Sequence, residues 1–109
     1  TGNMDAVIVS MGALDLCLAR LLEAAEKHGL TMLVTADHGN ADEMLEKNKK
    51  GQIQVRTAHS LNPVPFIVVD PEQKYALKEG AYGLANVAPT VAEILGVEAP
   101  DCWEPSLLQ

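Results

Sequence analysis

Val34-Thr35-Ala36-Asp37-His38-Gly39-Asn40-Ala41-Asp42 is the stretch on which the reading of this chain turns. An apolar run, Met32-Leu33-Val34, stops abruptly at a carboxylate, an imidazole and a glycine. Buried parallel strands end this way in open α/β sheets, where ligands collect beyond the carboxyl edge. Asp37 and His38 offer an anionic oxygen and a neutral nitrogen, a donor pair that suits zinc or manganese better than calcium or magnesium. Gly39 frees the backbone where the alternation of the strand has to break. A plainer reading makes Asp37 a turn residue and His38 a hydrogen-bonded strand cap. The flanking sequence decides between them.

Upstream, residues 1–28 read as one amphipathic helix. Met4, Val7, Ile8, Met11, Leu14, Leu18, Leu21, Leu22 and Ala25 recur at three- and four-residue spacing. Asn3 is the expected N-cap, Asp5 complements the helix dipole and Gly29 suits the position after the end. His28 reads as a capping residue. Cys17 falls on this helix and reads as core, and Cys102 lies near the tail. The pair lacks metal-ligand spacing, and free thiols in a cytoplasmic chain are the expectation.

Downstream, residues 30–36 form the strand that leads to Asp37. Asn40 is expected to cap a short helix over residues 41–45. The Lys47-Asn48-Lys49-Lys50 cluster with Gly51 reads as a solvated loop. Residues 52–59 alternate, with Ile53, Val55, Thr57 and His59 on one face, so a half-buried strand would deliver His59 on its apolar side. Two prolines keep Asn62-Pro63-Val64-Pro65 extended. Phe66-Ile67-Val68-Val69 reads as a central strand covered on both faces. Tyr75 and Tyr82 are expected to pack in an irregular segment. Asn86 then caps a last helix with Pro89 in its first turn, a buried stripe of Val87, Val91, Ile94 and Leu95, and Gly96 at its end. The tail should dock through Trp103 and Leu107. The order helix, strand, short helix, strand, strand, helix indicates an α/β sheet packed by helices.

A net charge of −7 and a pI near 4.7 argue against a nucleic-acid surface. No apolar run approaches the length of a membrane span, and no signal-peptide pattern is present. The hydrophobic share of 48% and charged share of 21% are those of an ordinary globular chain.

Three segments together resemble one family. Thr1-Gly2-Asn3, Thr35-Ala36-Asp37-His38-Gly39-Asn40-Ala41 and Thr57-Ala58-His59-Ser60-Leu61-Asn62-Pro63-Val64-Pro65 look like the C-terminal part of cofactor-independent phosphoglycerate mutase, in the alkaline-phosphatase superfamily. Ala88-Pro89-Thr90 before Leu95-Gly96 is similar to the closing helix of that superfamily. The resemblance implies an alkaline-phosphatase-like sheet with flanking helices, of which residues 1–109 would be a C-terminal segment. It implies interconversion of 3-phosphoglycerate and 2-phosphoglycerate through a phosphoserine, at a site with two Mn2+ ions, or Zn2+ in their place. Asp37 and His38 would bind the metal that activates the serine, and His59 would bind the other.

In this family the Thr-Gly opening follows an Asp-x-x-x-His stretch that carries further ligands. That stretch, the nucleophilic serine and the substrate domain would lie outside these residues. No catalytic nucleophile is therefore assigned here: Ser60 adjoins His59 on the opposite strand face, Ser10 lies on a helix and Ser106 in the tail. The expectations are an inactive fragment with partial metal binding, a monomeric cytoplasmic parent enzyme acting on a small phosphoglycerate, and self-association of the fragment. A phosphopentomutase, a phosphatase of the same superfamily, or a non-catalytic metal-binding module are the competing readings.

Overall fold

Asn3 starts the first helix as the sequence predicts: its side-chain oxygen accepts from the Ala6 amide at 3.0 Å, and Asp5 sits in the first turn. The computed structural model describes residues 2–109, so the expectation placed on Thr1 lies outside the described residues. The helix, α1, runs Met4–Lys27 and ends at His28, followed by Gly29 in the left-handed region at φ 64°. Its half-buried positions are Val7, Leu18, Leu22 and Ala25, while Ile8, Met11, Leu14 and Leu21 are exposed. Cys17 is exposed as well, not core, because it lies off that stripe. No helix among the described residues is long and apolar enough to cross a membrane.

β1 (Met32–Thr35) pairs antiparallel with β4 (Phe66–Val69), with Met32 opposite Val69 and Thr35 opposite Phe66. The expectation of a parallel strand is overturned. A parallel pair needs a crossover, usually helical, and the chain between β1 and β4 holds no helix. The residues expected to form one, 41–45, instead turn and enter β2 (Leu45–Lys47), which forms an antiparallel hairpin with β3 (Ile53–Val55). Asn48 closes the hairpin tip, its Oδ1 accepting from the amides of Lys50 and Gln52, with Gly51 at φ 76°.

β3 is shorter than the alternation suggests and all three of its residues are exposed, so His59 sits beyond it in a loop and not on an apolar strand face. Nor is β4 covered on both sides: Phe66 and Val68 are half-buried, whereas Ile67 and Val69 face outward. An uninterrupted apolar run reports what a strand can bury, not what covers it.

The described chain divides into two compact units, one ending at Pro71 and the other spanning Glu72–Gln109. In the second, a 3-10 turn (Leu84–Asn86) leads into α2 (Val87–Ile94). Asn86 does not cap α2 with its side chain; it accepts from the Gly83 amide at 2.9 Å and donates to the Pro105 carbonyl at 2.8 Å. Thr90 is wholly buried, donating to the Asn86 carbonyl and accepting from the Leu107 amide. The tail docks as expected through Leu107, joined by Leu108, whereas Trp103 and Leu95 are exposed. Tyr75 is half-buried and Tyr82 exposed.

Candidate metal centre

Two loops of the first unit build the site, and both hang from the β1–β4 pair. Residues 36–44 leave the end of β1, and residues 56–65 run into β4. The register Thr35↔Phe66 sets the roots of the two loops side by side. They meet again at an isolated bridge, Gly39↔Ser60, where Ser60 N–H donates to the Gly39 carbonyl at 2.8 Å and Gly39 N–H to the Ser60 carbonyl at 3.3 Å. Glycine is required there: a Cβ would collide with Ser60 Oγ and stand 2.5 Å from Asp42 Oδ1.

Asp42 adds a side-chain tie across the same gap. One of its oxygens, Oδ2, accepts from Ser60 Oγ at 2.7 Å and from Asn62 Nδ2 at 2.6 Å. The Ser60 hydroxyl first, and the Asn62 amide after it, hold the Asp42 carboxyl below its ordinary value. These partners lie eighteen and twenty residues away, so the segment expected to be a helix at 41–45 is drawn against the second loop instead. Asn40 likewise spends its amide on the Ala58 carbonyl, at 3.4 Å, instead of capping.

The bridged loops bring all three predicted ligands to one edge. The rings of His38 and His59 stack with centroids 3.5 Å apart and planes 8° from parallel. Asp37 Oδ1 lies 3.6 Å from His38 Nε2. His38 Nδ1 is 3.0 Å from the Gly39 carbonyl, so the tautomer with its proton on Nδ1 donates there and leaves Nε2 bare. Arg56 steadies the second loop, donating from Nη2 to the His59 carbonyl at 3.2 Å while Nη1 faces Glu43 and Glu46.

This arrangement fits a divalent ion in kind. The His38 Nε2 and an Asp37 carboxylate oxygen lie beside each other beyond hydrogen-bond range. Donors about 2.1 Å from one tetrahedral ion lie roughly 3.4 Å apart, close to the spacing seen. The Asp37 side chain is 88% exposed and that of His38 35%, so the edge is open to an incoming ion. In number the set is short: among the described residues no group of three or more His, Cys, Asp or Glu could hold an ion by itself. The nearby hydroxyl of Ser60 is 2% exposed and given to Asp42, which leaves it no role as a nucleophile.

Asp42, Ser60, Asn62 and Arg56 are the site-building residues that sequence reading passed over. Asp42 pairs with Ser60 and Asn62 across eighteen and twenty residues and Arg56 faces Glu43 across the same gap, and no local pattern announces such a pairing. Gly39 was the available signal, since a glycine beside a suspected ligand marks a close approach as readily as a turn.

Comparison with known proteins identifies the family. The model of the Metalloenzyme superfamily matches residues 1–99. The 2,3-bisphosphoglycerate-independent phosphoglycerate mutase of Mycoplasmoides gallisepticum is 45% identical over 93% of this chain and 19% of its own length. That of Zea mays is 39% identical over 100% of this chain and 22% of its own. A crystal structure of Leishmania mexicana phosphoglycerate mutase at low cobalt concentration superposes with a TM-score of 0.88 and 37% identity, covering 99% of this chain and 22% of that one. The chain thus spans about a fifth of the length of these relatives. A match over residues 1–99, with an Asp-His pair and a second histidine drawn to one open edge, places this chain in the Metalloenzyme superfamily.

Proposed function

We propose that this chain forms part of the metal-binding edge of a 2,3-bisphosphoglycerate-independent phosphoglycerate mutase, which interconverts 3-phosphoglycerate and 2-phosphoglycerate in the cytoplasm. The observation that carries the reading is the His38–His59 stack with Asp37 beside it. Relatives of that name align along almost the whole chain. Asp37 and His38 would hold one ion and His59 a second, the mixed oxygen and nitrogen donors suiting manganese or zinc. Bound ions would stabilise the dispersed charge of a phosphoryl group in transfer and lower the pKa of a hydroxyl nucleophile.

The residues of this chain prepare that role. The Gly39 carbonyl holds the Nδ1 proton of His38, fixing the ring with Nε2 outward. Asp37 adds negative charge at the open edge. Gly2 rests against Val55 and Thr57, which brings the start of α1 to the loop that carries His59. The nucleophilic serine, the remaining ligands and the substrate-binding domain are assigned to other parts of a longer protein.

The test is mutase turnover by the protein that carries this chain. Asp37→Ala and His59→Ala should each lower kcat/KM more than about a hundredfold, and the 109-residue chain alone should not turn over. Wild-type turnover by either variant, or turnover on phosphopentoses in place of phosphoglycerates, would refute the assignment.

A further inference from the structure

The two histidines reach one edge from loops that share no strand, so something must set the distance between them. β1 and β4 fix the loop roots, but His38 lies three residues beyond β1 and His59 seven residues before β4. Arg56 joins the far ends of the loops through the Met44 carbonyl and Glu43, and nearer the rings the structure offers the Gly39–Ser60 backbone bridge, the contact of Asn40 with the Ala58 carbonyl, and the Asp42 carboxylate. Asp42 is the tie that grips the second loop at two points, Ser60 and Asn62, immediately after His59. Ser60 is 2% exposed, so its hydroxyl has no ready replacement partner in water.

Resting on the metal-site reading above, we infer that Asp42 is a positioning residue. It holds the His59 loop in register with the His38 loop and thereby sets the spacing of ligands that serve different ions. It does this without contributing a ligand, since its Oδ2 is committed to Ser60 and Asn62 and its Oδ1 faces Gly39. Removing an outer partner that orients metal ligands costs about tenfold to a hundredfold in metal affinity or activity. Asp42→Ala should therefore act through the metal and not through the substrate.

The experiment uses the protein that carries this chain, stripped of metal with a chelator. Mn2+ binding is first measured by titration calorimetry, without substrate, for wild type, Asp42→Ala, Ser60→Ala and the double variant. Turnover is then measured against Mn2+ and against 3-phosphoglycerate. Asp42→Ala should weaken Mn2+ binding about tenfold to a hundredfold, recover part of its kcat at high Mn2+, and keep KM within about twofold of wild type. Ser60→Ala should show a smaller shift in the same direction, and the double variant less than the product of the two, because both cut one tie.

Unchanged Mn2+ binding in Asp42→Ala, or a loss of kcat that no concentration of Mn2+ repairs, would overturn the positioning role. A general loss of fold is separated from it by the helical circular dichroism of the metal-free variant, which should match wild type; a collapsed signal also counts against the inference. His59→Ala serves as the control for the underlying assignment: full activity in that variant would sink the metal site itself, whereas an inactive His59→Ala beside an unaffected Asp42→Ala would sink the inference alone.

Discussion

The edge around Asp37 and the Thr90 clamp of the second unit use similar polar groups to opposite ends. At the clamp every polar atom named finds a partner inside the chain: Thr90 both donates and accepts, and so does the side chain of Asn86. At the edge, Gly39, Asp42, Ser60 and Asn62 are satisfied internally, yet they support Asp37, His38 and His59, whose remaining donor capacity points outward. A closed network holds a tail in place. An open network, built on a closed one, is equipped to hold something else.

The largest expected effect follows from filling the space at Gly39. Gly39→Val should drive its side chain into Ser60 and Asp42, destabilising the first unit by about 3 kcal/mol and abolishing the upfield ring-current shifts of the stacked histidines in a proton spectrum. Retention of those shifts would break the claim that the bridge makes the stack. Next comes Thr90→Val, which keeps shape but removes the hydroxyl. The Leu107 amide then loses its buried acceptor, at a cost of about 2 kcal/mol by denaturant unfolding, with the histidine signals unmoved. The pairing of these two variants sharpens the contrast, since each should disturb its own unit's signature.

Acid gives the smallest effect and discriminates by sign. The Asp42 carboxyl is held below its ordinary value in the folded chain by Ser60 and Asn62. Its tie is therefore at full strength above the normal carboxylate range and is lost as pH falls through the depressed folded value. The Asn62 side-chain amide resonances should titrate in acid, below the range of an ordinary aspartate, and stay flat near neutrality. The Leu107 amide, bound to a hydroxyl that does not ionise, should not follow them.

What the sequence disclosed and what it withheld separate along the same line. The Asn3 cap, the Gly29 ending and the strand running into Asp37 were readable because each depends on neighbours within a turn or on a simple period. Leu107 as an anchor was readable from its apolar character in a polar tail. The helix expected at 41–45 failed because Asp42 had a distant partner, Ser60, that local propensity does not see. Cys17 and Leu95 were placed inside on a helical pattern and Ile67 on an unbroken apolar run, and neither signal says whether another layer lies upon the residue. Motif resemblance singled out Asp37, His38 and His59, which the fold brings to one edge, while the carpentry beneath them required the fold.

The β2–β3 hairpin carries one more consequence. Its tip is closed by Asn48 with the amides of Lys50, Gly51 and Gln52, while Lys49 and Lys50 themselves are exposed. At its base, Arg56 reaches from Glu43 and Glu46 to the His59 carbonyl. The hairpin is thus a graft point with an open crown and a fixed stem: labels can be carried on the side chains of Lys49 and Lys50, whereas edits to the stem will be felt at the histidine.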